Sequence, residues 1–167
     1  VTHYWVLSLN TSQQVVAGTA AGGAEAQAVL GSWSTNTWHH VAATFAVDAS
    51  RFSFLDGVSS AENTTSVAPI GVNSIGVGVR YNGAIPFVGR LAEAAIWNVA
   101  LTTVEIISLA KGFAPPLIRP QSLVAYWPLM GNESSEPDRW RGGFTLSPTG
   151  SPDKAEHPRI YYPSRVT

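Results

Sequence analysis

Short runs of alternating apolar and polar residues recur along the chain at 4–9, 13–17, 26–30, 38–46, 51–55, 74–79 and 87–97, between clusters of Gly, Asn, Ser and Pro. That spacing predicts an antiparallel all-β sandwich. In the run around 38–46, period-two alternation sets His39, Val41, Ala43 and Phe45 on one face of a strand and Trp38, His40, Ala42 and Thr44 on the other. The next run, 51–55, ends in Asp56-Gly57, a dipeptide that tolerates the positive φ angles of a tight reversal. Asn82-Gly83 signals a second hairpin, between 75–79 and 87–89.

One segment breaks the strand pattern. Thr102-Thr103-Val104-Glu105 has the spacing of a capping box, Leu101 precedes it as a hydrophobic staple, and Ile106, Ile107, Leu109 and Ala110 form an apolar stripe. Gly112 and Pro115-Pro116 stop the pattern, so a single short helix is expected near 102–111. Beyond it, Leu123–Trp127 reads as a strand and Phe144–Leu146 as a short extended segment. The Pro-bounded run 157–163 reads as an edge strand. Trp5, Trp38, Trp97 and Trp127 fall within strands and are expected in the core.

The chain has 167 residues, enough for one sandwich with a core of its own. Charged residues make up only 13%, with 10 basic against 11 acidic, so no field exists to draw in nucleic acid. Cysteine is absent, which removes disulfides and thiolate metal sites, and no apolar run reaches the length of a membrane span.

The wording Thr37-Trp38-His39-His40-Val41-Ala42-Ala43-Thr44-Phe45 followed by Phe54-Leu55-Asp56-Gly57 resembles the central hairpin of laminin G-like domains, in the concanavalin A-like lectin/glucanase superfamily. Gly89–Leu101 with the helix after it is similar to that family's closing strand and short helix. Leu123-Val124-Ala125-Tyr126-Trp127-Pro128-Leu129, with Asp138 and Gly142-Gly143, is similar to its opening hairpin, placed here at the end of the chain. The resemblance implies an all-β jelly-roll sandwich, with a core at 1–112 and a C-terminal extension, 113–167, whose strands complete the same sandwich. The family's N-terminal strands are missing before Tyr4, which leaves an edge open to a partner and makes a homo-oligomer an expectation.

The Pro-Gln-Ser-Leu-Val stretch and the closing His-Pro-Arg-Ile look like proteins carried in bacteriophage and environmental genomes. That resemblance implies a virion-associated or extracellular, non-enzymatic module that binds glycans or a neighbouring protein of the virion or cell surface. Glucan-cleaving relatives carry a Glu-x-Asp-x-x-Glu strand that supplies paired carboxylates, and this chain has none. A Gly-x-Ser-x-Gly elbow is also absent, so no catalytic residue is expected.

No cofactor is expected either. Many relatives hold calcium through the Asp of a Gly-x-Ile/Leu-Asp-Glu segment; here the segment reads Gly89-Arg90-Leu91-Ala92-Glu93, with Ala92 in place of that ligand. Asp138 remains as a metal candidate, against the plainer reading of a turn-capping carboxylate. His39 and His40 cannot share an ion, because neighbouring strand residues face opposite ways; one is expected buried on a backbone partner and the other exposed. Sugar sites on β-sandwiches pair an aromatic platform with Asn, Asp or Arg. The candidates in turns are Trp33, Tyr81 with Asn82, and Trp140 between Arg139 and Arg141.

Overall fold

The computed structural model describes residues 2–79, 86–131, 135–141, 143–150 and 153–162. Its contacts divide the chain into two units, residues 1–75 with 100–111 and residues 76–99 with 112–167. Residues 76–99 group with the tail in the second unit.

The first unit holds two antiparallel three-stranded sheets, β1 (Tyr4–Leu9), β2 (Gln14–Ala21) and β3 (Ala24–Ser32) in one, β4 (Val41–Val47), β5 (Ser50–Leu55) and β6 (Val58–Ser59) in the other. Leu7 faces Ala17, which faces Ala28, so Trp5, Leu7, Val15, Ala17, Thr19, Ala26 and Ala28 share one face. Val15, Ala17, Thr19, Ala26 and Ala28 are buried there, and the sheets meet through β2, β3 and β5. The other face of β2 is buried by its neighbours. A Cβ on Gly18 would stand 3.0 Å from Val6 Cγ1 and 3.7 Å from Gln27 Cγ, so flanking side chains close over the small residues of the central strand.

Strands β2 and β3 run on to a Gly22-Gly23 turn with φ of 64° and 93°, beyond the expected limits of 17 and 26. The Ala-rich stretch 17–21 carries a weak strand signal, and pairing on both sides overrides it. The Asp56-Gly57 turn forms as expected, with φ of 50° and 85°. Gly57 also lies where a Cβ would come within 3.1 Å of Ile107 Cγ1, so the turn seats helix α1 (Thr103–Ala110). Thr102 caps that helix: Glu105 N–H donates to Thr102 Oγ1 while Thr102 N–H donates to Glu105 Oε2 at 2.7 Å. Leu101 and Ile106, the two ends of the expected staple, are both buried.

Inside this unit Arg51 is 1% exposed. Its guanidinium donates to Asp48 O (2.6 Å), Thr65 O (2.8 Å) and Asn63 Oδ1, tying the 60–67 loop to β5. Asn63 Nδ2 in turn donates to Gln27 O on β3 at 2.9 Å.

The second unit is built on one antiparallel pair, β7 (Ala94–Trp97) and β8 (Leu123–Trp127), in register Ala94↔Trp127 to Trp97↔Leu123 with a bulge at Ile96/Trp97. Its core is β8: Leu123, Ala125, Tyr126 and Trp127 are buried, and Trp127 Nε1 donates to Phe144 O at 2.6 Å. The expected strand 87–97 is confined to Ala94–Trp97 because Glu93 has a φ of 59°, which no strand continues through. The expected strand 74–79 reduces to one bridge, Val79↔Pro86, after Gly78 at φ 74°. Residues 144–146 and 157–163 likewise supply single bridges, Leu146↔Glu136 and a parallel Tyr161↔Phe113, among the described residues. Of the four tryptophans expected in the core, Trp127 is buried and Trp97 half-buried, whereas Trp5 and Trp38 are 46% and 40% exposed.

Candidate functional site

Asp138 organises the loop that carries three of the candidates. Its carboxylate is 4% exposed, and Oδ1 accepts the N–H groups of Tyr126 on β8 (3.0 Å) and of Trp140 (2.9 Å). Arg139 N–H donates to Tyr126 O at 2.8 Å, so the loop is fastened to β8 on both sides of the carboxylate. Burial alone would raise the Asp138 carboxyl; the backbone N–H groups of Tyr126, Trp140, Arg141 and Gly143 outweigh it and hold the group below its ordinary range. Trp140 is half-buried, with its ring nitrogen sealed from solvent and no acceptor among the described residues, while Arg139 and Arg141 are exposed.

Calcium takes about six to eight oxygens; Oδ1 of this carboxylate faces the N–H groups of Tyr126 and Trp140, while Oδ2 is buried with no partner among the described residues. Among the described residues no group of three or more His, Asp or Glu could hold a metal ion. Oδ1 caps the turn that begins at Asp138.

Trp33 belongs to the first unit, just past β3, where its N–H donates to Gln13 O at 3.0 Å. Its ring is half-buried and its Nε1 has no acceptor among the described residues. Tyr81 and Asn82, with the Asn82-Gly83 hairpin, lie outside the described residues. Arg139, Trp140, Arg141 and Asp138 therefore stand together on one loop of the second unit, and Trp33 stands on the other unit.

Sequence reasoning did not find the polar cluster around Glu93. Tyr126 Oη donates to Glu93 Oε2 (2.8 Å) and Tyr162 Oη to Oε1 (2.9 Å), while His157 Nε2 lies 3.2 Å from Oε1 and 3.1 Å from Pro128 O. Burial pushes the Glu93 carboxyl up, against the hydrogen bonds from Tyr126 and Tyr162 and the His157 ring, which pull it down. The same burial, with the hydrogen bond to Tyr162 and the Glu93 carboxylate, raises the Tyr126 hydroxyl well above the ordinary phenol range. These residues are separated by 33 to 69 positions in sequence, so no spacing announced the cluster; only the solitary acid on its strand was visible.

In the first unit, Asp56 and the two histidines form another constellation. Ser34 donates both its N–H (3.3 Å) and its hydroxyl (3.0 Å) to His39 Nε2, which leaves Nδ1 to carry the proton toward Asp56 Oδ2 at 2.7 Å. Asp56 Oδ1 accepts the N–H of His40 at 2.9 Å. His39 and His40 lie ahead of β4 rather than within the expected strand 38–46, and the buried His40 Nδ1 has no partner among the described residues, against the expectation of a backbone acceptor. Burial lowers the His40 pKa to about 4, with the Asp56 charge opposing. A shallow groove of about 190 Å³ runs between β4, β5 and the start of α1, over Phe52 and Phe54 with Thr44, Ser59 and Thr103 at its sides.

Two facing antiparallel sheets with a capped helix define the first unit as a lectin-type sandwich. The family profile described as the Concanavalin A-like lectin/glucanases superfamily matches residues 2–107, and the chain belongs to that family. No curated protein matches it. Among solved structures, it is similar to an S-layer domain-containing protein (residues 221–444) from Clostridium thermocellum ATCC 27405. The likeness is 19% identity and a TM-score of 0.42, over 64% of this chain and 61% of that one.

Proposed function

We propose that this chain is a non-enzymatic interaction module of an extracellular or virion surface, whose partner is protein. The observation that carries the reading is the disposition of its aromatic and apolar side chains. Trp33 and Trp140, the indoles suited to stack on sugar, are half-buried with their ring nitrogens sealed. Exposed apolar groups are instead strung along elements of each unit, Trp5 and Leu7 on β1, Val58 on β6, Phe113 and Tyr161 at a bridge. Protein contacts use such surfaces, whereas a sugar site needs an open platform beside its polar groups. The phage resemblance of the tail supports a place on a virion.

Catalysis is not part of this reading. Glu93 has two phenols and an imidazole around it and, among the described residues, no second carboxylate as a partner, which supports that reading. Ser34, His39 and Asp56 have the order of a nucleophile, base and orienting acid. However, both the N–H and the hydroxyl of Ser34 are turned to the one nitrogen His39 Nε2, the arrangement of a loop closure. The contact closes the 34–39 loop onto the Asp56 turn.

A second reading is glycan binding at the loop of Arg139, Trp140 and Arg141, favoured by two exposed guanidiniums beside an indole on a backbone that Asp138 holds fixed. A glycan array with the purified chain, with and without calcium, beside its Trp140→Ala variant, decides between them. Absence of saturable binding is the expected result; saturable binding lost in the variant overturns the protein-partner reading and installs the glycan one.

A further inference from the structure

Segment 153–162 of the second unit is irregular backbone with one bridge, at Tyr161, and it is fastened at three places. At one side Gly131, with φ of 65°, lies so close that a Cβ there would stand 3.2 Å from Lys154 Cα. At the other, Tyr161 N–H donates to Gly112 O (2.7 Å) and Ala114 N–H to Tyr161 O (3.0 Å), while the Phe113 and Tyr161 rings meet with centroids 5.9 Å apart. Between the two stands His157 against Glu93, with side chains 19% and 11% exposed. This middle fastening differs from the others because it is polar on every side.

The contacts of the ring fix its charge. Nδ1 faces Pro158 O at 2.9 Å, and Nε2 faces Pro128 O at 3.1 Å and Glu93 Oε1 at 3.2 Å. Carbonyl and carboxylate oxygens accept, whereas a neutral imidazole has one N–H and one lone pair. Either neutral tautomer sets a lone pair against an oxygen; the imidazolium, with two donors, satisfies both sides. Glu93 has the matching arrangement, because Tyr126 Oη, Tyr162 Oη and His157 Nε2 all approach its oxygens as donors. Those three groups also pull its carboxyl down against burial. Of the other ionisable groups nearby, Glu136 Oε1 accepts Leu129 N–H at 3.0 Å, and Asp153, Lys154, Glu156 and Arg159 on the segment itself are exposed.

We propose that His157 is a proton-dependent clasp: as imidazolium it holds segment 153–162 to Pro128 and Glu93, and on losing a proton it lets the segment loosen. Linkage sets the sign. The folded chain needs the ring charged and the unfolded chain does not, so the fastening is complete at acid pH and is lost as pH rises and the ring gives up a proton. Glu93 then keeps its two phenols and loses its cation. The device stands apart from the identity of the partner that the module takes.

An NMR titration of the whole chain from about pH 5 to about pH 9, which spans the ordinary imidazole range, tests it. Ring nitrogen shifts of His157 report its protons. Amide exchange, with each rate divided by that of an unstructured peptide at the same pH, reports the segment. The expected result is a doubly protonated ring at the acid end and protection of the Tyr161 and Ala114 N–H groups that falls about ten-fold or more, with the midpoint of the ring's titration. Ala17, on the central strand β2, keeps its protection throughout. His157→Gln, which retains a donor without a titrating charge, holds one protection at every pH. If that variant does not fold, the agreement of the two midpoints in the unmodified chain decides alone. A singly protonated ring at the acid end overturns the proposal, as does protection at Tyr161 and Ala114 that stays constant, falls at a different midpoint, or falls equally in His157→Gln.

Discussion

The two units of this chain are held by different means. The first has six strands and a capped helix, and its buried centre is Val, Ala and Thr packed between two ladders. The second has two strands, and much of its chain is irregular backbone tied to β8 by carboxylates: Asp138 through N–H groups, Glu93 through phenols. Ladders distribute stability over many replaceable contacts, whereas a buried carboxylate concentrates it in one side chain whose loss orphans several donors. The contrast says where single substitutions should be tolerated and where they should not.

The largest expected effect is at Asp138. Replacing it with Ala leaves the N–H groups of Tyr126 and Trp140 without acceptors in a buried place, at a cost of roughly 4 kcal/mol. Asp138→Asn retains one acceptor oxygen and costs about half of that. Urea unfolding of the three proteins measures both, and equal stabilities would show that the loop does not depend on this cap.

Acid acts on the two units with opposite signs. His40 titrates near 4 in the folded protein and near 6.5 unfolded. Its folded pKa is depressed, so the unfolded chain binds the proton first, and stability is lost as pH falls from about 6.5 toward 4. The loss approaches about 3 kcal/mol at the bottom of that window. Glu93 is raised above its ordinary 4.5, so the folded protein binds its proton more readily. That contribution is present at low pH and is lost as pH rises through the raised titration. Stability against pH for His40→Gln should lose the acid-side fall, and for Glu93→Gln the opposing trend; unchanged curves would remove these groups from the account.

A smaller effect is expected at Gly57, where Ala has to adopt a φ of 85° with its Cβ 3.1 Å from Ile107 Cγ1. The left-handed backbone costs about 1–2 kcal/mol, and the contact adds to it. Thr102→Ala, which removes the cap of α1, should cost about 1 kcal/mol. Thermal unfolding of both variants checks the order. A Thr102→Ala loss exceeding that of Gly57→Ala would mean that the helix, not the turn beneath it, anchors this side of the unit.

The same contrast explains what the sequence disclosed. Elements whose signals are local were legible: β1, the Asp56-Gly57 turn and the capping box at Thr102 stand where the pattern put them, and the β4–β5 hairpin forms with β4 beginning at Val41 rather than at 38. Where the second unit departs from a ladder, the pattern misled. Alternation in 87–97 took no account of the left-handed backbone at Glu93, and apolar residues at 74–79 and 157–163 form only bridges among the described residues. Trp5 looked like core because strand membership says which face a side chain takes, not whether anything covers that face, and Trp38 lies ahead of β4, which begins only at Val41. Asp138 was legible as a turn cap because a carboxylate before Arg-Trp-Arg-Gly-Gly has local donors, whereas the Glu93 cluster joins residues too far apart for any spacing to show.

The central claim is that the second unit hangs on single buried carboxylates where the first is held by ladders. Residue-resolved amide exchange of the protein beside its Asp138→Ala variant tests this directly. The account predicts that the N–H groups of Tyr126 and Trp140, which Asp138 Oδ1 accepts, lose protection in the variant, while those of Val6 and Ala17 on the ladders keep theirs. Unchanged protection at Tyr126 and Trp140 would contradict it.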